Sequence, residues 1–336
     1  MTVRSNVALS RVGPPALSRS EQNTLLSAAA MAPSVFNTQP WQFTINGPAV
    51  EVYADSDRAL YWSVDPFGRQ AVISCGAAVL NLRVAAAYLG RDVDIVVNPT
   101  ASDGLLATVT LGPRGRGSPS DAELYAAIRR RHTHRGPFAP RRIPGSVLYE
   151  LTECVHAEHA NIVPVSRVHR RWLFDLVALA DVLLSEAPGY ELDLLKWTAG
   201  STSRSDGIPV GAFGTISNND APPMRDFGAA SGVAQRRERF APDPWIAVLG
   251  TDTDDTVAWL HAGQALQRLL LTAQQRGLAA SFLNQPLDDP GIRRDMVSAG
   301  LGGFPQMILR MGYASGDIAT PRRPVNELIR PRRVRR

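Results

Sequence analysis

Two segments of the chain carry apolar residues at the spacing of a buried helix. They are residues 76–90, GAAVLNLRVAAAYLG, and residues 263–277, GQALQRLLLTAQQRG. The two segments align at a single offset of 187, which superposes their first and last glycines. Self-similarity of this kind predicts a duplicated structural unit. Each final glycine, Gly90 or Gly277, suits a left-handed cap at the helix C-terminus.

Each repeat helix is followed by an apolar run that predicts a strand, at residues 105–112 and at residues 306–312. Two further strands are predicted at residues 42–45 and 244–250, the second in the centre of a sheet. Acidic residues at 252–255 precede the second repeat helix, where they favour its N-terminal dipole. Helices and strands therefore mix along the chain, and the fold class is predicted to be α+β.

The region between the two copies is rich in Gly, Pro and Ser over residues 112–120 and predicts a linker, with Ser120 as the N-cap of the next helix. The second copy is longer, and its excess falls in an irregular stretch at about 189–244. Such a stretch inside a compact domain is commonly a functional loop or a lid. The predicted parts are an N-terminal half at 1–115, a C-terminal half at 116–325 and a basic tail at 326–336.

Composition excludes several classes of protein for this chain of 336 residues. The net charge is +5, but no zinc-finger spacing, basic heptad or aromatic-basic string accompanies it, so we expect no nucleic-acid partner. The N-terminal residues lack the apolar stretch of a secretory signal, and no run of about 18 apolar residues predicts a membrane span. The two cysteines, Cys75 and Cys154, form no framework and favour a cytoplasmic location. Cys75, within an apolar run, is predicted to be a small buried hydrophobe.

Two strings in the chain carry candidate ligand-binding groups, and the clustered arginines of the second fit a phosphate-bearing ligand. The first, Ala-Pro-Ser-Val-Phe-Asn-Thr-Gln-Pro-Trp at residues 32–41, offers polar groups at Ser34 and Asn37 in a loop bounded by prolines. The second, Arg-Arg-His-Thr-His-Arg at residues 130–135, places Arg131, Thr133 and Arg135 on one side if the segment is extended. Guanidinium groups bind phosphate through paired, charge-assisted hydrogen bonds.

These strings resemble the flavin-binding signatures of the FMN-dependent nitroreductase superfamily. The first resembles the APSxxNxQPW string and the second the RRxSxR string, but their order is the reverse of the ordinary one. Residues 320–324, Thr-Pro-Arg-Arg-Pro, are similar to the family's terminal basic motif. The likeness is greatest to the fused, Acg-type actinobacterial branch, which implies two tandem nitroreductase-like units, each a central antiparallel or mixed sheet flanked by helices, that form an intramolecular pseudo-dimer.

The resemblance also implies which residues bind the flavin. Homodimeric members of the family place each flavin at the subunit interface, so here both halves would contribute to one site. Residues 282–286 stand where family members lay backbone against the flavin ring. The mirror site has neither string, which implies one FMN per chain. The implied cofactor-binding residues are Pro33, Ser34, Val35, Phe36, Asn37, Arg131, His132, Thr133, Arg135, Asn284, Gln285, Arg322 and Arg323.

The implied activity is two-electron transfer from NAD(P)H through FMN to a small acceptor such as a nitro compound or a quinone. No catalytic acid or base is predicted, and Asn37 is the residue expected to tune the flavin. The alternative is a catalytically weak protein that sequesters flavin under the lid in a stress-linked role. A monomer or a homodimer is compatible with the fused halves.

Other chemistries lack the required spacing. The pairs His132–His134 and His156–His159 have no carboxylate or cysteine at zinc-like spacing, so no metal site is predicted. The single lysine, Lys196, does not lie in a phosphate-binding GxxxxGK[ST] loop, and no GxSxG nucleophile elbow is present.

Overall fold

A computed structural model gives the fold of the chain. It describes residues 15–61, 64–98, 103–198, 204–218, 222–240, 244–314, 316 and 319–330. The helices are α1 (Arg19–Ala30), α2 (Arg69–Tyr88), α3 (Pro119–Glu123), α4 (Tyr125–Arg130), α5 (Gly145–His156), α6 (Arg167–Glu186), α7 (Tyr190–Thr198), α8 (Thr256–Gln275), α9 (Gln285–Asp288), α10 (Pro290–Ser298) and α11 (Val325–Leu328). The strands are β1 (Trp41–Asn46), β2 (Ala49–Ala54), β3 (Arg91–Val97), β4 (Leu105–Arg114), β5 (Asn161–Pro164), β6 (Thr215–Ser217), β7 (Arg236–Glu238), β8 (Trp245–Thr251), β9 (Leu278–Phe282) and β10 (Phe304–Tyr313).

Ten strands form two four-stranded antiparallel sheets and one short parallel pair. The first sheet has the order β1-β2-β4-β3 and the second β5-β8-β10-β9, while β6 and β7 pair within the long insert. The predicted α+β class is confirmed, and β8 occupies the central position predicted for it. The division of the chain at residue 115 remains a prediction, although each large sheet is formed on one side of that point.

The two repeat helices, α2 and α8, pack directly against each other between the sheets. A Cβ on Gly76 would lie 2.2 Å from the carbonyl oxygen of Leu260, and one on Gly263 would lie 2.0 Å from that of Ile73. The helix backbones are therefore in contact at the two glycines that superpose in the sequence repeat. The predicted left-handed caps are also confirmed, with φ of 74° at Gly90 and 71° at Gly277.

Polar contacts lie along the same helix pair. The Gln267 side-chain amide donates to Asn81 Oδ1 at 2.8 Å, and both residues are buried. Towards the end of α2, Arg83 and α8's Arg268 share two carboxylates, those of Asp121 and Glu158. A charge network of this kind fixes the register of the two helices, because a shift along either axis would leave partly buried charges unpaired.

Helix α2 is long and apolar enough, by length and composition, to cross a membrane, with a mean hydropathy of 1.5. The sequence contains no uninterrupted run of about 18 apolar residues, so this property of α2 was not predicted. However, 89% of the apolar window is buried inside the protein, where it packs against α1, α8 and the first sheet. Burial in the core accounts for its hydropathy. Cys75 lies in this helix, is fully buried as predicted, and has a thiol pKa raised by burial.

Two predicted boundaries are wrong. The helix after the linker begins at Pro119 with Ser118 as its N-cap, not Ser120, because proline at the first helical position lacks the N–H that would otherwise need a partner. The predicted tail at 326–336 begins too early. Leu328 is fully buried in the first core, and Ile329 forms a bridge with Phe43 on β1. Residues 331–336 of that tail lie outside the described residues.

The close approach of the two repeat helices predicts a specific intolerance. We expect Gly76→Ala and Gly263→Ala each to lower the free energy of unfolding by about 1–3 kcal/mol or more, because the added methyl meets backbone that cannot move aside independently. Gly145→Ala is the control, since a Cβ there meets nothing within 4 Å. Urea unfolding measures all three. Equal stability of the Gly76, Gly263 and Gly145 variants would contradict the packing described.

Candidate functional site

One cavity receives residues from both halves of the chain and from the insert. It encloses about 840 Å³ of space, part of it open to solvent. A concave site lined mainly by apolar side chains with a few polar groups is typical of small-molecule and cofactor sites. It is lined in the first half by Pro33, Ser34, Val35, Phe36, Gln70, Ile73 and Ser74, in the second half by Thr133, Arg135, Leu266, Ser281, Phe282, Asn284, Gln285, Asp288 and Met307, and in the insert by Ile208, Met224, Arg225 and Phe227.

The loop after α1 that lines this cavity has a strained backbone. Three residues other than glycine lie in the left-handed region within four positions: Phe36 at φ 47°, Asn37 at 56° and Gln39 at 52°. Each such residue costs on the order of 1–3 kcal/mol and persists only when its surroundings hold it. Pro33 and Ser34 precede this turn, and the Ser34 hydroxyl oxygen accepts a hydrogen bond from the Gln39 amide at 3.0 Å. The Ser34 hydroxyl proton can then point towards a ligand.

Asn37 holds the strained loop in place and does not line the cavity. Its side-chain amide donates to the Gly207 carbonyl at 2.9 Å and to the Pro321 carbonyl at 3.0 Å, and its Oδ1 accepts from Arg322 at 3.0 Å. All of its polar atoms therefore have protein partners, and the side chain is 5% exposed. That Asn37 tunes a bound flavin stays a prediction; in this structure its amide joins the loop to the insert and to the C-terminal segment.

Gln39 makes a second set of contacts between the same three segments. Its side-chain amide donates to the Ser205 carbonyl at 2.9 Å, and its Oε1 accepts from the Arg323 backbone at 2.9 Å. The Arg323 guanidinium donates to the Glu327 carbonyl at 2.7 Å and lies 3.9 Å from Asp55. Arg323, predicted as a phosphate ligand, instead points towards these carboxyl-bearing residues and away from the cavity.

Three arginines from two distant segments converge beside the end of α1. The Met31 carbonyl accepts from Arg131 at 3.3 Å and from Arg322 at 3.4 Å, and Arg135 lines the cavity. Burial, together with the positive charges of Arg131 and Arg135, lowers the pKa of Arg322 to about 9. Burial and the charge of Arg131 likewise lower the pKa of Arg135 to about 10.

Within the part of the chain that the structure describes, no carboxylate forms an ion pair with Arg135 or Arg322. Arg322 donates instead to neutral oxygens, among them the Thr320 hydroxyl and the Ala32 carbonyl, while its buried Nε has no acceptor among the described residues. Neighbouring buried cations repel each other, so an anion that binds between them would offset both the repulsion and the loss of hydration. The arrangement therefore suits a phosphate group.

The comparisons with known proteins agree with this geometry. Residues 13–72 match the model of the Nitroreductase family. Over 316 residues the chain is 33% identical to a Mycobacterium tuberculosis protein named as a "Putative NAD(P)H nitroreductase", Rv3131, covering 91% of this chain and 90% of that one. The chain belongs to the nitroreductase family.

The chain is similar to two further proteins. The M. tuberculosis protein named "Putative NAD(P)H nitroreductase acg" is 30% identical to the chain over 312 residues. The match covers 90% of this chain and 93% of that one. Among solved structures, an FMN-dependent nitroreductase of Mycobacterium smegmatis, NfnB, in complex with NADPH, is similar at a TM-score of 0.40 and 16% identity. The match covers 63% of this chain and 99% of that one.

Three further predicted residues, Thr133, Asn284 and Gln285, lie where a ligand could reach them. Thr133 lines the cavity and pairs through its backbone with Ala280 on β9. Asn284 and Gln285 line it too, but their side chains are engaged, Asn284 Oδ1 with the Ile308 amide at 2.9 Å and Gln285 with Asp181 at 3.3 Å. These two residues can therefore offer backbone more readily than side chain, as the resemblance implied.

His132 does not line the cavity, although it lies between two arginines of the cluster. Val35 and Phe36 do line it, and Phe36 also packs into an apolar cluster with insert residues that include Trp197 and Phe213.

Sequence reasoning missed a buried polar network at the base of the cavity. Asp288 accepts from Gln70 at 2.8 Å and from Arg225 at 2.6 Å, and burial raises the Asp288 pKa to about 6. The three residues lie on α2, α9 and the insert, each more than 60 positions from the next along the chain. No local pattern identifies such a set, because each residue taken alone reads as an ordinary surface polar group.

The insert forms the outer wall of the cavity. Its residues Ile208, Met224 and Phe227 line the cavity, and Phe227 meets Phe36 edge to face at 6.1 Å between ring centroids. The same insert supplies the carbonyls of Ser205 and Gly207 that hold the strained loop. It therefore covers the site and also helps to shape it.

The arginine cluster predicts a response to anions that separates two neighbouring residues. Inorganic phosphate should raise the unfolding midpoint of the protein by binding the native state. Arg322→Ala should remove or strongly reduce that response, because losing a charge-assisted contact weakens anion binding by about 1.5–3 kcal/mol. Arg323→Ala should lower the midpoint itself but keep the response. Differential scanning calorimetry across a phosphate series, with chloride at matched ionic strength, measures both. An unchanged phosphate response in Arg322→Ala would contradict the anion site.

Proposed function

We propose that the protein is an FMN-binding oxidoreductase that transfers two electrons from NAD(P)H to a small acceptor, such as a nitro compound or a quinone. The observation that carries the proposal is the cluster of Arg131, Arg135 and Arg322, of which Arg135 lines a cavity shared by both halves of the chain and the other two meet at the Met31 carbonyl. When bound, FMN would supply the redox chemistry, accepting a hydride from NAD(P)H and passing the electrons on. Membership of the nitroreductase family supports this reaction class.

The protein's contribution would be to bind and orient the flavin. The arginine cluster would hold the phosphate, since guanidinium groups form paired hydrogen bonds with phosphate oxygens. The strained loop would present the Ser34 hydroxyl and the backbone of Val35 to the ring edge. The apolar walls at Ile73, Leu266 and Met307 suit the flat aromatic ring.

A single FMN per chain follows from the asymmetry of the two halves. The loop with Pro33 and Ser34 precedes α2, and the arginines come from residues 131–135 and from the C-terminal segment. The C-terminal segment returns to β1 of the first sheet, which places Arg322 beside the loop. The sequence offers no second set of either kind, and this supports one complete site.

Anaerobic reduction tests the activity. The purified protein, loaded with FMN, should be yellow and should lose the absorbance of oxidised flavin when NADPH or NADH is added without oxygen. Addition of a quinone or a nitro compound should restore the absorbance. A flavin that stays oxidised with both nucleotides would overturn the oxidoreductase proposal while leaving FMN binding intact.

A second candidate function is flavin sequestration, in which the insert keeps the cofactor from reacting. The observation that favours it is that the insert residues Ile208, Met224 and Phe227 line one wall of the cavity. Removing the whole insert would not test this cleanly, because Ser205 and Gly207 also hold the strained loop.

A narrower change tests sequestration. In Met224→Ala/Phe227→Ala the wall is thinned while the contacts of residues 205–207 remain. If the insert suppresses turnover, this variant should be reduced by NADPH at least tenfold faster than the wild type. Leu192→Ala is the control, since Leu192 lies on the same insert, is 72% exposed and does not line the cavity. Equal rates in all three proteins would exclude the insert as the barrier.

A further inference from the structure

Two ion pairs of different character join the insert to the rest of the protein, beside other contacts such as the hydrogen bond from Arg135 to the Ala212 carbonyl at 2.9 Å. At the first, the carbonyls of residues 205 and 207 bind the strained loop, and Asp206 pairs with Arg58 at 2.8 Å. At the second, Arg225 reaches across the cavity to Asp288 at 2.6 Å. Among the described residues, these are the two ion pairs between residues 204–240 and the remainder of the chain.

The second attachment is built around one guanidinium. The Arg225 side chain lies 5.2 Å from the ring centroid of Phe36 and donates to the Tyr190 hydroxyl at 3.4 Å. It is 10% exposed, and its partner carboxylate on Asp288 is 2% exposed. Pairs this well buried are costly to break, because separation leaves each charge without its partner in a poorly hydrated place.

Asp288 provides a fixed point for this contact. It ends α9, and its other carboxylate oxygen accepts from Gln70 near the start of α2. Gln70 also donates to the Val64 carbonyl at 3.1 Å. The carboxylate is therefore held by the core of the protein, whereas Arg225 belongs to an irregular segment whose nearest regular elements are short. If this contact separates, the insert residue Arg225 moves and Asp288 stays in place.

We infer that the Arg225–Asp288 ion pair is a latch that keeps the insert closed over the cavity, and that a small molecule enters only when this pair separates. The first attachment acts as the anchor about which the segment from Met224 to Phe227 moves. When the Arg225–Asp288 pair separates, Met224 and Phe227 move away from the cavity. The hydrogen bonds of Asn37 and Gln39 to residues 205 and 207 stay in place. The latch deepens the proposed function by naming what controls access to its site.

Hydrogen exchange tests the latch without reference to catalysis. Arg225→Gln and Asp288→Asn should each speed amide exchange in residues 224–234 at least tenfold, because the segment opens more often. Exchange in β8 and β10 should stay within twofold of the wild type. Arg276→Gln is the matched control, since Arg276 pairs with Glu150 at the same 2.6 Å but lies 48% exposed and outside the insert. It should leave residues 224–234 unchanged.

A second readout tests access to the cavity. In protein carrying FMN, iodide should quench the flavin fluorescence more efficiently in Arg225→Gln than in the wild type, and Arg225→Lys should fall between them. Unchanged exchange in residues 224–234 would overturn the latch. Equal acceleration in β8 and β10 would overturn it as well, because the pair would then support the whole fold. Absence of bound FMN would instead count against the proposed function, and the exchange data would still decide the latch.

Discussion

The contact between the backbones of α2 and α8 is the constraint on which the rest of the structure depends. Glycine at 76 and 263 lets two buried helices approach until the carbonyl of one meets the Cα of the other. A larger residue at either place would separate the helices. That separation would widen the cavity as well, because Gln70, Ile73 and Ser74 on α2 face Leu266 on α8 across it. The close approach of the two helices therefore determines both the packing of the core and the dimensions of the cavity.

Buried positive charge is the second determinant of the site. A folded chain rarely keeps arginines together away from water unless they have partners. Here Arg135 and Arg322 face each other's charge and neutral oxygens, whereas Arg323, adjacent in sequence, has Asp55 and Glu327 nearby. The side chains of Arg322 and Arg323 point in different directions. Arg322 is therefore available to a ligand, whereas Arg323 stabilises the fold.

The sequence predicted the features that repeat or that follow a local period. The paired helices, their glycine caps and the strands after them could be read from the chain, whereas only the family resemblance implied that residues 131–135 meet the 32–41 loop. Arg322 and Arg323 were both predicted as phosphate ligands, although successive residues in an extended segment point to opposite sides, so that only one of the two could face the site.

The rest depends on contacts between distant segments. Asn37 looked like a ligand residue because its amide can face a ring edge, yet carbonyls of Gly207 and Pro321, 170 and 284 positions away, take that amide instead. The positive φ values of Phe36 and Gln39 left no sign in their residue types. The polar network of Gln70, Asp288 and Arg225 exists only after the insert folds onto the core. Local patterns do not encode which partner closes such a network.

The central claim is that one flavin site is shared between the two halves, and titration of FMN into apoprotein tests it most directly. Flavin fluorescence should give one FMN per chain. Both Arg131→Ala and Ser34→Ala should weaken that binding, although the residues lie in different halves. Arg131→Ala should have the larger effect, about ten- to hundredfold, because it removes a charge-assisted contact and Ser34→Ala a neutral one. Two FMN per chain, or full affinity in both variants, would contradict the account.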